Sequence, residues 1–465
     1  MENNFKIWQS KYPDSWFSCI PGKNGFLPVG SPLDKLPQEY DIINNILEDM
    51  KLKNNGYLKN ATLKNVIDRL LPVFDLSHIT DKQLLAALHR DYCFLASAYS
   101  LETSHLELLK SSDNSYGIAR DVLPEQLAKP LLVLGQKNDV FPWLDYAHGY
   151  GLNNAVLIDG SDHKLQQSYK TIRTFHGSDS EQGFINVHVA MVSQSGQLLK
   201  DQQDCLLHIS NDNRDEFNTS LQKHFESFHS IVNTLQQMWK ASSHNDYLDF
   251  RTFIMGQIGN KKCYPNEEIK YHLGDDNYET HAYRGETGAQ DSIIPSVDSF
   301  LQLDYPENKL TEYLFNLRQY RPKDHQEYIN FMKENSKLLK FKEYCLQDSK
   351  SSIILLKNLN CLRMFRKKHW NLTKKYIIQS TKHPVATGGT PITTWLPNQL
   401  GATLEYMNII VKNLESNFES IDPSDLEFFN TNKVELSDHI QSIMDEVCSM
   451  QTEFNNQNYT DFLKK

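Results

Sequence analysis

The sequence predicts a mainly α protein: a large all-helical domain preceded by a smaller, mixed but mostly helical one. Three stretches carry that expectation. Between 352 and 380, Leu355, Leu359, Leu362, Phe365, His369, Leu372 and Tyr376 recur every three or four residues, which lines one apolar stripe along a helix. Leu221, Phe225, Phe228, Val232, Leu235 and Trp239 repeat the pattern. A third helix is expected from Thr80, with Gln83 at capping-box spacing and Leu84, Leu88, Leu95 and Ala98 on its buried face.

In chain order, residues 1 to about 60 hold Pro13, Pro21, Pro28, Pro32 and Pro37 among glycines, which predicts an irregular lead-in to the Thr80 helix. Residues 121 to 160 mix apolar runs such as Pro130-Leu131-Leu132-Val133-Leu134 with Gly and Asn, and their type stays open between helix and strand. The polar stretch Asp159 to Ser180 reads as a link into the helical region. Gly, Asn and Asp between 256 and 292 predict loops, and helical patterns follow at 309 to 345 and 352 to 380. Leu404 to Phe418 and Ser437 to Phe454 are amphipathic, fit to pack on the body or to self-associate. There is no internal repeat. The expected division is 1–170, 171–395 and 396–465.

A chain of 465 residues with 39% hydrophobic and 23% charged content has room for a large core and the balance of a soluble protein. Its net charge of −10 and lack of a dominant basic run argue against a nucleic-acid partner. Arg366-Lys367-Lys368 and Lys374-Lys375 read as the wet face of the helix through His369. No run of eighteen apolar residues offers a membrane span. The polar start at Met1 to Lys6 predicts no export and a cytoplasmic location. Cys19, Cys93, Cys205, Cys263, Cys345, Cys361 and Cys448 form no CxxC pair, so reduced thiols are expected rather than disulfides or zinc.

His369 is the chemically informative residue. A histidine within an apolar stripe must satisfy its ring nitrogens internally, the commoner outcome, or bind something; neutral imidazole is a natural axial ligand for haem iron. No CxxCH is present, so any haem would be held non-covalently. Three further stretches accompany it: Phe250-Arg251-Thr252-Phe253-Ile254-Met255-Gly256, Tyr283-Arg284-Gly285-Glu286-Thr287-Gly288-Ala289-Gln290-Asp291-Ser292, and Thr387-Gly388-Gly389-Thr390. In this order, with the His369 helix ending in Lys375-Tyr376-Ile377, they resemble the indoleamine 2,3-dioxygenase family. The resemblance runs from about Leu84 to Thr390 and is most specific after Phe184. Glu286 departs from the glycine of some relatives, and bacterial-type members resemble this chain there. Gln257, Asn260, Asn153-Asn154-Ala155 and the tail after Thr390 depart from the pattern and suggest a divergent branch.

The resemblance implies a haem b enzyme with His369 as proximal iron ligand, supported by Asp298 and Arg366. It implies that Gly285, Thr287 and Gly288 bring backbone close to the haem edge and substrate. Tyr146, Phe184 and Tyr247 would wall an indole pocket. Arg251, with its planar fork, would take the substrate carboxylate. Thr387 and Gly388 belong to a loop closing over the substrate, with the Thr387 hydroxyl near the amino-acid group. His188, one turn from Phe184, would accept the indole N–H or donate to oxygen. The implied reaction cleaves the indole C2–C3 bond of L-tryptophan or a related indoleamine with O2, giving an N-formylkynurenine-type product of the kynurenine pathway, in a monomer or homo-oligomer. The rivals are a relative with a different outcome, such as monodechloroaminopyrrolnitrin synthase-like rearrangement or mono-oxygenation of a modified tryptophan, and a haem- or indole-binding protein without turnover.

Overall fold

The computed structural model describes residues 1, 15–112, 115–303, 305, 309–380, 385–389, 392–417 and 421–455. Pro13, the start at 2–6 and Thr390 lie outside them. The protein is mainly α, as the stripes predict, with helices α1 (Asp41–Asp49), α2 (Leu63–Leu70), α3 (Lys82–Lys110) and α4 (Glu125–Asn138) in its first part. Helices α5 (Asp179–Val192), α6 (Ser195–Ser210), α7 (Arg214–Thr234), α8 (Met238–Ala241) and α9 (Tyr247–Arg251) follow. Then come α10 (Ile293–Phe300), α11 (Lys309–Arg318), α12 (Lys323–Leu338), α13 (Phe341–Leu346), α14 (Ser349–Thr373), α15 (Ile392–Asn417) and α16 (Pro423–Asn455).

Helix α3 is capped one residue later than expected. Asp81, with extended backbone, accepts from the Leu84 N–H at 2.7 Å, and its carboxylate also suits the positive helix end better than the Thr80 hydroxyl. Most of α3 from Leu85 to Leu108 is buried, including Arg90 and Asp91, so it is a central helix rather than an amphipathic surface one.

The open region 121–160 resolves into strand β1 (Val122–Leu123), α4 and strand β2 (Ala155–Leu157), which pairs antiparallel with β3 (Tyr169–Thr171) in the register Ala155↔Thr171. The segment read as loops holds a hairpin, β4 (Ile269–His272) and β5 (Tyr278–His281), with Ile269 opposite His281 and β4 parallel to β1. Ile269 and Tyr271 alternate inward, but two buried positions are too short a period-2 signal to outweigh the surrounding turn residues.

The stripe from 221 to 239 bends at its end. A 3-10 turn, Leu235–Gln237, joins α7 to α8, and the tighter winding leaves Leu221, Phe228, Val232 and Leu235 buried but Trp239 48% exposed. The pattern at 309–345 forms three helices, broken at Pro322 and at Lys340, whose φ is 50°. Helix α14 starts at Asp348, which accepts from the Ser351 N–H at 2.8 Å, and runs into one π-turn, Lys374–Ile378. It packs between α7 and α15, and α16 lies on α15. The tail segments, Leu404 to Asn417 and Ser437 to Phe454, thus lie within α15 and α16, while Phe418 lies outside the described residues. Among the described residues no helix is long and apolar enough to cross a membrane, and six cysteines are free and buried.

Candidate active site

Helices α5, α10, α11 and α14 and the turn at 285–291 surround a cavity of two lobes, which span about 1000 and 830 Å³ of space that includes open solvent. His188, Leu235, Gly288, Ala289 and His369 line both lobes and form the waist between them. The larger lobe has Met191, Ile294, Pro295, Leu314, Phe315 and Phe365 as apolar walls. The smaller one is framed by Phe184, Met238, Tyr247, Leu372, Tyr376 and Ile377.

The α14 stripe carries His369 to this waist, half-buried, beside Phe365 at 6.2 Å between ring centroids. Its ring nitrogens have no hydrogen-bond partner among the described residues, so the core-histidine outcome does not hold here. Burial pushes its pKa down to about 4, which leaves a neutral imidazole with a free lone pair. An unengaged donor nitrogen between apolar walls is the chemistry a haem iron needs, so the residues fit that cofactor.

Arg366, one turn earlier, is not on a wet face. Its Nη2 donates to both Asp298 oxygens at 2.7 and 2.9 Å, and both side chains line the larger lobe. Tyr305 Oη donates to Asp298 at 2.6 Å. Arg366 Nη1 donates to the Gln399 carbonyl at 2.9 Å and to the Thr403 hydroxyl on α15. Lys367 is exposed and Lys368 half-buried.

His188, on α5, meets Tyr146 Oη through Nδ1 at 3.5 Å; burial, and next the nearby His369, push its pKa down to about 4. Phe184 lies one turn away, with its ring 5.1 Å from His188 and 5.5 Å from Tyr247. A π-turn, Tyr146–Tyr150, presents Tyr146. Its backbone N–H donates to Gln290 Oε1 at 2.9 Å, and Gln290 Nε2 donates to the Gly285 carbonyl at 3.0 Å. The expected aromatic walls and the glycine-rich turn are therefore tied together.

Thr287, Gly288 and Thr387 line the smaller lobe, and the Thr387 hydroxyl donates to the Glu286 carbonyl. Gly285, Gly388 and Arg251 do not line either lobe. Gly285 crosses Gly256 backbone to backbone, where a Cβ on either would strike the other strand. The Gly388 carbonyl accepts from Tyr313 Oη at 2.5 Å and Arg284 Nη1 at 3.1 Å. Arg251 is buried, with its guanidinium donating to Tyr116 Oη at 2.7 Å and to the Val385 carbonyl at 2.5 Å. It braces the Val385–Gly389 segment instead of presenting a free fork. Gln257 and Asn260 also do bracing work: Gln257 Oε1 accepts from the Tyr283 N–H at 3.0 Å, and Asn260 Nδ2 donates to the carbonyls of Gly256 and Thr387 at 2.9 and 3.1 Å.

Arg318, Arg321 and the Glu286 carboxyl were not expected in the site. Arg321 clamps the turn, donating to the carbonyls of Asp291 and Ala289 at 2.8 Å each; burial lowers its pKa to about 9. The pair Arg318 and Arg321 just before Pro322 was the available signal, because a helix end beside two cations reads as surface until its neighbours are known. A charged residue between glycines at 285–288 was the signal for Glu286.

Residues 18–430 match the family profile described as Indoleamine 2,3-dioxygenase. An indoleamine 2,3-dioxygenase of Aspergillus nanangensis is 23% identical over 412 residues, covering 83% of this chain and 95% of that protein. The indoleamine 2,3-dioxygenase of Saccharomyces cerevisiae is 22% identical over 386 residues, 77% of this chain and 79% of its own length. A 6-hydroxytryptophan 2,3-dioxygenase of Fusarium equiseti is 23% identical over 365 residues, covering 76% and 82%. A profile match across most of the chain and a neutral histidine waiting in a two-lobed cavity lead to one assignment: this chain is a divergent member of the indoleamine 2,3-dioxygenase family.

Proposed function

We propose that the protein is a haem b-dependent dioxygenase acting on L-tryptophan or a related indoleamine. The observation that carries this reading is the His369 imidazole, unprotonated and without a partner among the described residues, where two apolar lobes meet. When bound, haem supplies the activation of O2 that protein side chains lack. His369 would hold its iron, and Asp298 with Arg366 would fix the helix turn beneath that ligand. Arg318 and Arg321 offer cations on the wall of the larger lobe for the haem carboxylates. The division at 170 and 395 stands as part of this proposal, with the first region contributing Tyr146.

The reaction breaks the O–O bond and the indole C2–C3 bond and leaves one oxygen on each carbon, so no external reductant is consumed overall. Phe184 and Tyr247 would hold the ring and exclude water. Neutral His188 has one donor and one acceptor nitrogen, which suits the indole N–H. Arg251 takes the substrate carboxylate only if the Val385 carbonyl yields its place. Thr387 sits beside the amino-acid end.

The test is to reconstitute the protein with haem, reduce it, and supply tryptophan with doubly labelled O2. The expected product gains two labelled oxygens. A protein with no Soret band after haem supplementation would sink the reading. The named 6-hydroxytryptophan relative and the Tyr146–His188 polar pair favour one second reading, a modified tryptophan as substrate. A panel of ring-substituted indoles separates the two, and a product gaining one oxygen or none would indicate mono-oxygenation or rearrangement.

A further inference from the structure

Glu286 is 3% exposed and lines the smaller lobe beside Thr287 and Thr387. Its carboxyl has no hydrogen-bond or ion-pair partner among the described residues. The other fully buried carboxyls there are all engaged. Glu181 accepts three backbone N–H groups and the Tyr150 hydroxyl, Asp145 accepts two backbone N–H groups, and Asp298 holds Arg366. Asp91, Glu102, Asp201 and Asp324 also have donors. A buried carboxyl without donors is costly unless its partner arrives from outside.

The surroundings specify that partner. The charge acting on Glu286 is Asp145, an anion, and Arg251, which does not line the lobe, turns its terminal nitrogens to Tyr116 and Val385. The Thr387 hydroxyl gives its hydrogen to the Glu286 carbonyl, so toward the lobe it has only lone pairs to offer. Thr287 Oγ1 accepts from the Ala289 N–H at 3.4 Å and keeps its own hydrogen to donate. Apart from that hydrogen, the Glu286, Thr287 and Thr387 side chains present acceptors at this end of the lobe. Once Glu286 is ionised, above its pKa of about 8, a ligand carboxylate is repelled there, and a neutral N–H or hydroxyl satisfies one acceptor without compensating a buried charge. A primary ammonium has three donors and the opposite charge, and does both.

We propose that the Glu286 carboxylate and the Thr387 hydroxyl form an ammonium receptor that selects indole ligands bearing a primary amine. This deepens the functional reading above and rests on it for the identity of the ring. Glu286 is thereby a specificity-determining residue, the group that distinguishes an indoleamine from an indole acid.

The experiment is calorimetric titration of the full-length protein, above pH 8 where Glu286 is ionised, with tryptamine, L-tryptophan and indole-3-propionate. Wild type should bind tryptamine at least tenfold more tightly than indole-3-propionate. Glu286→Gln, which keeps the side-chain shape, should abolish that preference, weakening tryptamine about tenfold and leaving indole-3-propionate unchanged or tighter. Thr387→Val should lose part of the preference. Equal losses for all three ligands, or an unchanged tryptamine preference in Glu286→Gln, overturns the receptor. Calorimetry scores the receptor whether or not haem is taken up, whereas the Soret band reports separately on the haem reading, so the two failures are distinguishable.

Discussion

Arg366 grips both oxygens of Asp298 one helical turn ahead of His369, at 2.7 and 2.9 Å, with both partners buried. Burial pushes the Asp298 pKa up and Arg366 opposes that rise, so neither charge is comfortable without the other. Removing one partner should cost about 3–5 kcal/mol, because the survivor is left charged and dry. Asp298→Asn and Arg366→Met should each destabilise by that order, and the double variant by clearly less than their sum. A urea-unfolding double-mutant cycle measures this; additive losses would mean that the pair is not coupled.

His369→Ala should separate cofactor binding from folding. The ring makes no hydrogen bond among the described residues and is half-buried, so without haem the unfolding free energy should move by no more than about 1–2 kcal/mol. The Soret band after haem supplementation should vanish. A variant that keeps a normal Soret band shows that another residue holds the iron.

Stability should fall as pH rises across the neutral range, with Glu286 a principal cause. Burial, then Asp145, raises its pKa from 4.5 to about 8. The folded state therefore binds a proton that the unfolded state has released. Its contribution is fully present below about 4.5 and is lost as pH rises through about 8. Glu181, raised to about 7 by burial, slopes the same way, so the comparison must be with Glu286→Gln. Asp145, Tyr150, Tyr247, His188 and His369 stand on the surrounding elements and are common to both proteins. The advantage of Glu286→Gln over wild type should grow between pH 5 and 8 by on the order of 1 kcal/mol or more. A constant difference in thermal midpoints across that range would refute the assignment.

Gly285→Ala should displace the turn that carries Glu286 and Thr287. A Cβ there runs into the Gly256 nitrogen, the Ile254 carbonyl and the Thr387 carbonyl, all backbone atoms, and backbone cannot step aside as a flexible side chain does. A loss of about 2–3 kcal/mol is expected, together with weaker ligand binding. Gly401→Ala, with open space around its Cβ, should show neither change and serves as the control.

Periodicity carried much of this architecture, because His369, Leu372 and Tyr376 lie where a 3.6-residue repeat puts them. It failed where a local device intervened. Asp81 out-competed Thr80 for a helix end, the turn after Thr234 rotated Trp239 into water, and the β4–β5 hairpin was too short to register. In the site, motif resemblance brought Tyr146, Phe184, His188, Tyr247, Thr287, Gly288, Asp298, Arg366, His369 and Thr387 to one cavity. It could not tell a ligand-facing arginine from a bracing one, since the fate of Arg251 depends on Tyr116 and Val385, 135 and 134 positions away. The solitude of the Glu286 carboxyl was also illegible, because lacking a partner is a property of the whole surrounding space.

The reach of Gln399 and Thr403 to Arg366 alters what shortening this protein would mean. Among the described residues, a version cut after the Val385–Gly389 segment would retain every cavity-lining side chain except Gln399, yet leave the guanidinium two acceptors short. Trimming the gene for convenience would therefore unsettle the helix that carries His369 from behind, and a truncation that binds haem poorly should be blamed on that missing brace before any fault is sought in the pocket.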